Sequence, residues 1–186
     1  MPHIPLLRPD DASQEVKDVY EDFSRRMRFM SPPHFIMTQG HSVSVAQGTW
    51  DLVRNVLVDG KIDRWIKELV FVAISRDRNC QYCVAAHVAC CRLLKVDPPI
   101  INSVLNDIKS INDLKLRDTL LFAVKCSRDP QKLSANDFAA LRQHGLGYGE
   151  FMELVAMSAL AVYANIIADA TGMEPDAMFE KVKMAS

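Results

Sequence analysis

Apolar residues recur along this chain at three and four residue steps, the period of a helix with one buried face. Val16, Val19, Tyr20 and Phe23 form such a stripe, with Glu15, Glu21 and Arg25 on other faces and Ser13 in place to cap the first turn. The spacing predicts a first helix there and further helices over 34–57, 62–76, 79–94, 99–108, 113–126, 134–143, 148–170 and 176–183. The breaks fall where chain-breaking residues cluster: Pro32-Pro33, Gly60, Pro98-Pro99, Pro130, Gly145 to Gly149 and Gly172 to Pro175. The run LVFVAI at 69–74 has no decisive period and also suits a buried strand. Its setting favours helix. Trp65, Ile66, Leu69, Val70 and Ala73 continue one face, and neither a hairpin turn nor a glycine-rich βα junction lies nearby. The expected fold is all-α, with eight or nine helices.

A weak self-similarity links KELVFVAIS at 67–75 with MELVAMSAL at 152–160, both opening a long apolar helix. Shared helix composition explains it better than duplication does, and nothing near the second copy matches the cysteines that follow the first.

Composition narrows the classes. The 186 residues, 49% hydrophobic and 24% charged, suit one globular domain over 1–186. A formal net charge of -1 provides no field for phosphates or anionic lipid, so neither nucleic acid nor a membrane is an expected partner. The start, MPHIPLLRPDDASQ, lacks a basic region followed by a long apolar one, and the expected location is cytoplasmic. Four of the five cysteines crowd into RNCQYCVAAHVACC at 78–91, unlike the spread framework of a secreted disulfide protein, so reduced thiols are expected.

With Asn79 as the expected N-cap, Cys80, Cys83, His87, Cys90 and Cys91 follow one stripe from the positive end of a helix. The dipole there favours a thiolate. Residues three apart are close enough to join as a disulfide. His87 stands one turn beyond Cys83, in position to move its proton. Glu68 is a carboxylate within an apolar face and needs a partner, either His87 and the thiols or an arginine such as Arg76 or Arg78. Position alone leaves the order of the thiols open: the helix end favours Cys80 as the more acidic, and the nearby imidazole favours Cys83 as the one with a base. Cys90, Cys91 and Cys126 read as structural, the methionines as gap-fillers, and His34, His41 and His144 as solvated or capping residues.

Glu68, Cys80, Cys83 and His87 together spell E-x11-C-x2-C-x3-H. This spacing resembles the signature of the alkylhydroperoxidase D-like branch of the carboxymuconolactone decarboxylase superfamily, with a likeness to its peroxidase-related subgroup. The similarity is best over about residues 30–96, including LVDGKIDRWIKELVFVAISRDRNCQYCVAAH. The resemblance implies an all-α helical bundle, a trimeric or hexameric homo-oligomer, no bound cofactor, and reduction of small hydroperoxides. It also implies roles: Cys83 attacks the peroxide, Cys80 resolves the sulfenic acid as a disulfide, and Glu68 and His87 relay the proton. A dihydrolipoyl or thioredoxin-like thiol reductant then reopens the disulfide. In one place the chain departs from the founding enzyme, which carries a histidine where Tyr82 stands; tyrosine does not shuttle protons near neutral pH. Tyr82 is therefore an accessory candidate.

Other chemistries are weighed beside this one. Two thiolates, an imidazole and a carboxylate are a sound zinc set, although three ligands from one helix would strain Glu68 as the fourth. A thioredoxin-type oxidoreductase needs a strand before its C-x-x-C. A decarboxylase or lactone enzyme of the same superfamily does not rely on a cysteine pair, and a non-enzymatic zinc-binding or redox-responsive module completes the alternatives.

Overall fold

The computed structural model describes residues 2–179. Nine α-helices follow in order: α1 (Gln14–Met27), α2 (His34–Gln39), α3 (Val43–Val53), α4 (Arg64–Asp77), α5 (Gln81–Leu93), α6 (Pro98–Asn106), α7 (Leu114–Arg128), α8 (Ala135–Gln143) and α9 (Tyr148–Ala170). There is no strand among the described residues, and LVFVAI lies inside α4. The fold is all-α as the periodicity predicts. Residues 177–179 are helical, and the remainder of the helix expected over 176–183 lies outside the described residues.

The expected single helix over 34–57 is instead three pieces. α2 stops at Gly40, where a side chain would overlap the hydroxyl of Tyr20, buried on α1. That hydroxyl lies 3.0 Å from the Leu7 carbonyl oxygen and 3.2 Å from that of Met37, tying the N-terminal segment to the end of α2. Ser42 then takes an extended conformation and opens α3, whose last turn widens into a π turn over Arg54–Val58.

α4 is the centre of the bundle, packed against α5, α6, α7 and α9, with every residue from Lys67 to Ser75 buried. Burial of Lys67 is possible because Nζ reaches the Asp59 carbonyl oxygen and Glu153 Oε2, the latter at 3.0 Å. Glu153 also accepts from the backbone N–H groups of Lys61 and Ile62. Burial pulls the Glu153 carboxyl upward, but these donors outweigh it and hold the group below the usual range. Gly60 makes the turn possible: its φ is +117°, and a Cβ there would stand 2.6 Å from both Glu153 and Lys67. Glu68 and Glu153, which open the two similar sequences, therefore do different work.

α9 is long and apolar enough to cross a membrane, but half of that stretch is buried against α4, α5 and α7. Of the early methionines, Met27 and Met37 are buried in the core and Met30 is fully exposed.

Candidate active site

The end of α4 sets up the start of α5. Asn79 takes a left-handed conformation with φ 60°, its N–H donates to the Arg76 carbonyl oxygen, and the Cys80 N–H donates to that of Ser75. This is a Schellman closure, which asparagine tolerates better than most residues. Asn79 is thus the stop of α4 rather than the cap of α5, and Cys80 is the N-cap, with extended backbone angles of -78° and 97°. Cys80 and Cys83 stand together in this first turn, both buried and both free thiols.

Their environment alters the expected acidity. The Cys83 thiol is pushed well above its ordinary range by its hydrogen bond with Cys80 and then by burial. A helix N-terminus contributes roughly 0.3–1 kcal/mol toward the thiolate. Full burial shifts a pKa by up to about 3–5 units, each near 1.36 kcal/mol, and so burial wins. Asn165 on α9, itself fully buried, acts on Cys83 in the opposite sense by hydrogen bonding that lowers its pKa. Asn165 is held by Nδ2 donating to Ser75 Oγ at 2.9 Å, and its Oδ1 has no partner among the described residues. Ser75 therefore fixes Cys80 through its carbonyl and Asn165 through its hydroxyl.

One turn further, His87 Nδ1 lies 2.6 Å from Glu68 Oε2, and Arg64 Nε donates to Glu68 Oε1 at 3.1 Å. Glu68 thus has His87 as a partner, and its arginine is Arg64, one turn before it, rather than Arg76 or Arg78. Where Nδ1 donates to the carboxylate, Nε2 is the ring nitrogen left to exchange a proton. The Phe71 ring stacks on the imidazole, with centroids 3.6 Å apart and planes at 12°. His87 and Cys83 line one narrow cavity of about 50 Å³, walled largely by Phe23, Phe29, Phe35 and Phe179. Nearly all of its surface is apolar, so a charge formed at the sulfur there faces little water.

The Tyr82 hydroxyl is engaged by groups other than the cysteines. It donates to Asp176 Oδ2 at 2.8 Å and accepts from the Phe35 N–H at 3.1 Å. Burial pushes its pKa well up, with the Asp176 charge adding to the effect. Burial likewise raises Asp176, which also accepts from the His34 N–H at 3.0 Å. The His34 ring bonds the Glu174 carbonyl oxygen at 2.9 Å. These contacts clamp residues 174–176 onto the start of α2 and set Phe179 against the cavity. His34 is therefore a tie, as are His41, which reaches the Pro5 carbonyl oxygen, and His144, which pairs with Asp118.

Cys90, expected to be structural, lines the same cavity as Cys83 and His87 and lies beside Glu68 and Arg64. Cys91 and Cys126 are buried, and burial raises both thiols. Ligand atoms of Glu68, His87 and Cys90 all lie within 4.8 Å of one another, a different metal set from the cysteine-pair set that the spacing suggests. The Arg64 guanidinium on Glu68 already supplies the positive charge there. Arg64 and Phe71 were findable as helical neighbours of Glu68, at i-4 and i+3. Asn165 left only a weaker signal, a lone amide in an apolar helix.

The comparisons with known proteins bear on this geometry. No protein-family model matches the chain, and no curated protein matches it. Among solved structures, an uncharacterized peroxidase-related protein from Ralstonia eutropha, described as an alkylhydroperoxidase AhpD core, superposes with a TM-score of 0.87 at 23% identity, covering 96% of this chain and 94% of that one. The chain has the AhpD fold. A peroxidase-related protein from a Silicibacter species shares this AhpD fold with a TM-score of 0.84 at 22% identity, over 96% of this chain and 94% of its own. So does the debrominase Bmp8, solved with 2,3,4-tribromopyrrole, with a TM-score of 0.82 at 18% identity, over 98% of this chain and 96% of its own.

Proposed function

We propose that the protein is a thiol-dependent peroxidase that reduces small hydroperoxides through Cys83 and Cys80. The observation that carries this reading is the pairing of buried Glu68 with partly buried His87, 2.6 Å apart, with His87 lining the same apolar cavity as Cys83. A thiol held up by burial and by its neighbour needs a base, and His87 backed by a carboxylate is one. Cys83 loses its proton toward His87 and attacks the nearer peroxide oxygen. The S–O bond forms, the O–O bond breaks, and the leaving alkoxide takes the proton as an alcohol. The Cys80 sulfur, freed of its own proton, then displaces hydroxide from the Cys83 sulfenic acid; the hydroxide leaves as water and the disulfide forms. Two electrons from an external thiol reductant return the pair to thiols. The small cavity favours hydrogen peroxide and short alkyl hydroperoxides.

The names of the two peroxidase-related neighbours support the reading, and the clustered cysteines suit a reducing cytoplasm. The proposal takes residues 1–186 as one domain and the working form as a homo-oligomer. Peroxide consumption with a dithiol donor tests the proposal. Cys83→Ser should abolish it, while Cys80→Ser should keep one turnover and lose the rest. Equal rates in the parent and Cys83→Ser would end the peroxidase reading.

A second reading follows from the debrominase neighbour and the aromatic walls of the cavity. Cys83 would take the halogen of a small haloaromatic, His87 would protonate the ring carbon, and Cys80 would release halide while forming the same disulfide. Halide release from a bromopyrrole, dependent on Cys83 and on thiol, distinguishes this substrate class.

A further inference from the structure

The two cysteines line different spaces. Cys83 lines the cavity of about 50 Å³ that holds His87, whereas Cys80, itself fully buried, lies behind the lining of a groove of about 480 Å³. Neither cysteine lines the other's space. Phe179 borders both and acts as the partition. The groove is also unlike the cavity in charge. Arg76 and Arg92 line it together with Asn79 and Gln81, and no described lining residue is acidic. Neither arginine has an ion-pair partner among the described residues. The uncapped start of α5 adds its positive end beside Cys80.

Exchange chemistry gives this division a consequence. A thiolate attacks a disulfide at one sulfur in line with the bond and expels the other. A Cys80–Cys83 disulfide would join the groove side to the wall of the cavity. An attacker in the groove is on the Cys80 side of the bond, with Cys83 positioned to leave, and reaches the buried Cys80 sulfur once the side chains over it move aside. From the cavity it would have to pass the phenylalanine walls.

We propose that the groove is the reductant site and that it takes a small anionic thiol, with a carboxylate near its sulfur for Arg76 and Arg92. This deepens the thiol-chemistry reading above and rests on it. The first thiolate forms an S–S bond to Cys80, the Cys80–Cys83 bond breaks, and Cys83 leaves as a thiolate and takes up the proton that the reductant lost. A second thiolate attacks the reductant sulfur of the mixed disulfide. Cys80 is released and protonated, and the two reductant molecules leave as their disulfide. Two thiols have then supplied two electrons and two protons.

The test starts from the full chain oxidised with diamide, so that it does not require peroxidase activity, with the Cys80–Cys83 bond verified by peptide mass. Reopening is then timed with 3-mercaptopropionate, 2-mercaptoethanol and cysteamine, each rate divided by thiolate concentration. The anionic thiol should be fastest and the cationic one slowest. The anionic-to-neutral rate ratio should fall about three- to tenfold in Arg76→Gln/Arg92→Gln, and in the parent it should shrink as salt rises. Equal normalised rates for the three thiols, or an anionic-to-neutral ratio unchanged in the double variant, would overturn the proposal while leaving the peroxidase reading standing. A protein dithiol outpacing every small thiol regardless of the two arginines would also overturn it. Failure of diamide to join Cys80 to Cys83 would remove both readings.

Discussion

Glu68→Gln tests the relay most directly. The carboxylate is fully buried, 2.6 Å from His87 Nδ1 and 3.1 Å from Arg64 Nε, and glutamine keeps its shape while removing its charge. Two charge-assisted hydrogen bonds become neutral at one end. Such bonds contribute about 1.5–3 kcal/mol each against about 0.5–1.5 kcal/mol for neutral ones, so the direct loss is about 2 kcal/mol. Arg64 is left without its counter-charge, but its side chain is 18% exposed and can turn toward water, which limits the added cost. For a domain of this size about 2 kcal/mol lowers Tm by roughly 4–8 °C. The effect on chemistry is larger. An amide presents either its NH₂ or its carbonyl to His87, so Nδ1 is no longer held as the donor and Nε2 no longer held as the base. Losing such an orienting partner costs about 10–100-fold in comparable settings. Stopped-flow measurement of Cys83 oxidation by peroxide, on protein shown folded by calorimetry, should fall by about that factor. A folded variant that oxidises Cys83 at the parent rate would show that the Glu68–His87 pair takes no part in proton transfer.

Tyr82→Phe removes the donor to Asp176 Oδ2, leaving the buried carboxylate with His34 alone, and should cost about 1–3 kcal/mol in denaturant unfolding. Because the hydroxyl is already engaged by Asp176 and the Phe35 N–H, the oxidation rate of the folded variant should stay within about threefold; a loss approaching 100-fold would return Tyr82 to the proton path. Asn165→Ala removes an influence that lowers the Cys83 pKa, so alkylation of Cys83 at fixed pH near neutrality should slow by about threefold to tenfold. Mass spectrometry of iodoacetamide-treated protein measures this, and unchanged alkylation would leave Asn165 as packing alone. Burial raises the Cys83, Cys90, Cys91 and Cys126 thiols above their unfolded values. Their contribution to stability is complete below the ordinary thiol range and is lost as pH climbs through it toward the raised folded values. Urea midpoints should therefore fall from about pH 8 to 10, and a midpoint rising over that interval would contradict the burial argument.

The all-α class was legible in the sequence, because a period near 3.6 is a property of neighbouring residues and needs no knowledge of what packs against them. So was the pairing of Glu68 with His87: a buried carboxylate must find a cation or a donor, and the shared spacing named the histidine. The boundary between α4 and α5 was only half legible. The polar residues marked a break, but whether Asn79 ended one helix or began the next depended on its φ of 60°. Because Cys80 then became an N-cap, it left the helical stripe on which it had been placed with Cys83, and the two sulfurs came to border separate spaces.

Local sequence thus determined the helices and most of the breaks between them, which depend on interactions within a few residues, and the spacing of the two cysteines ahead of His87. Tertiary packing alone decided which way the Cys83 pKa moves, that Cys90 and Asn165 join it, and that Tyr82 serves as a clamp. Those outcomes depend on desolvation and on side chains brought in from α4, α9 and the segment after α9, and their effect at short range exceeds that of the helix end on which the local expectation rested.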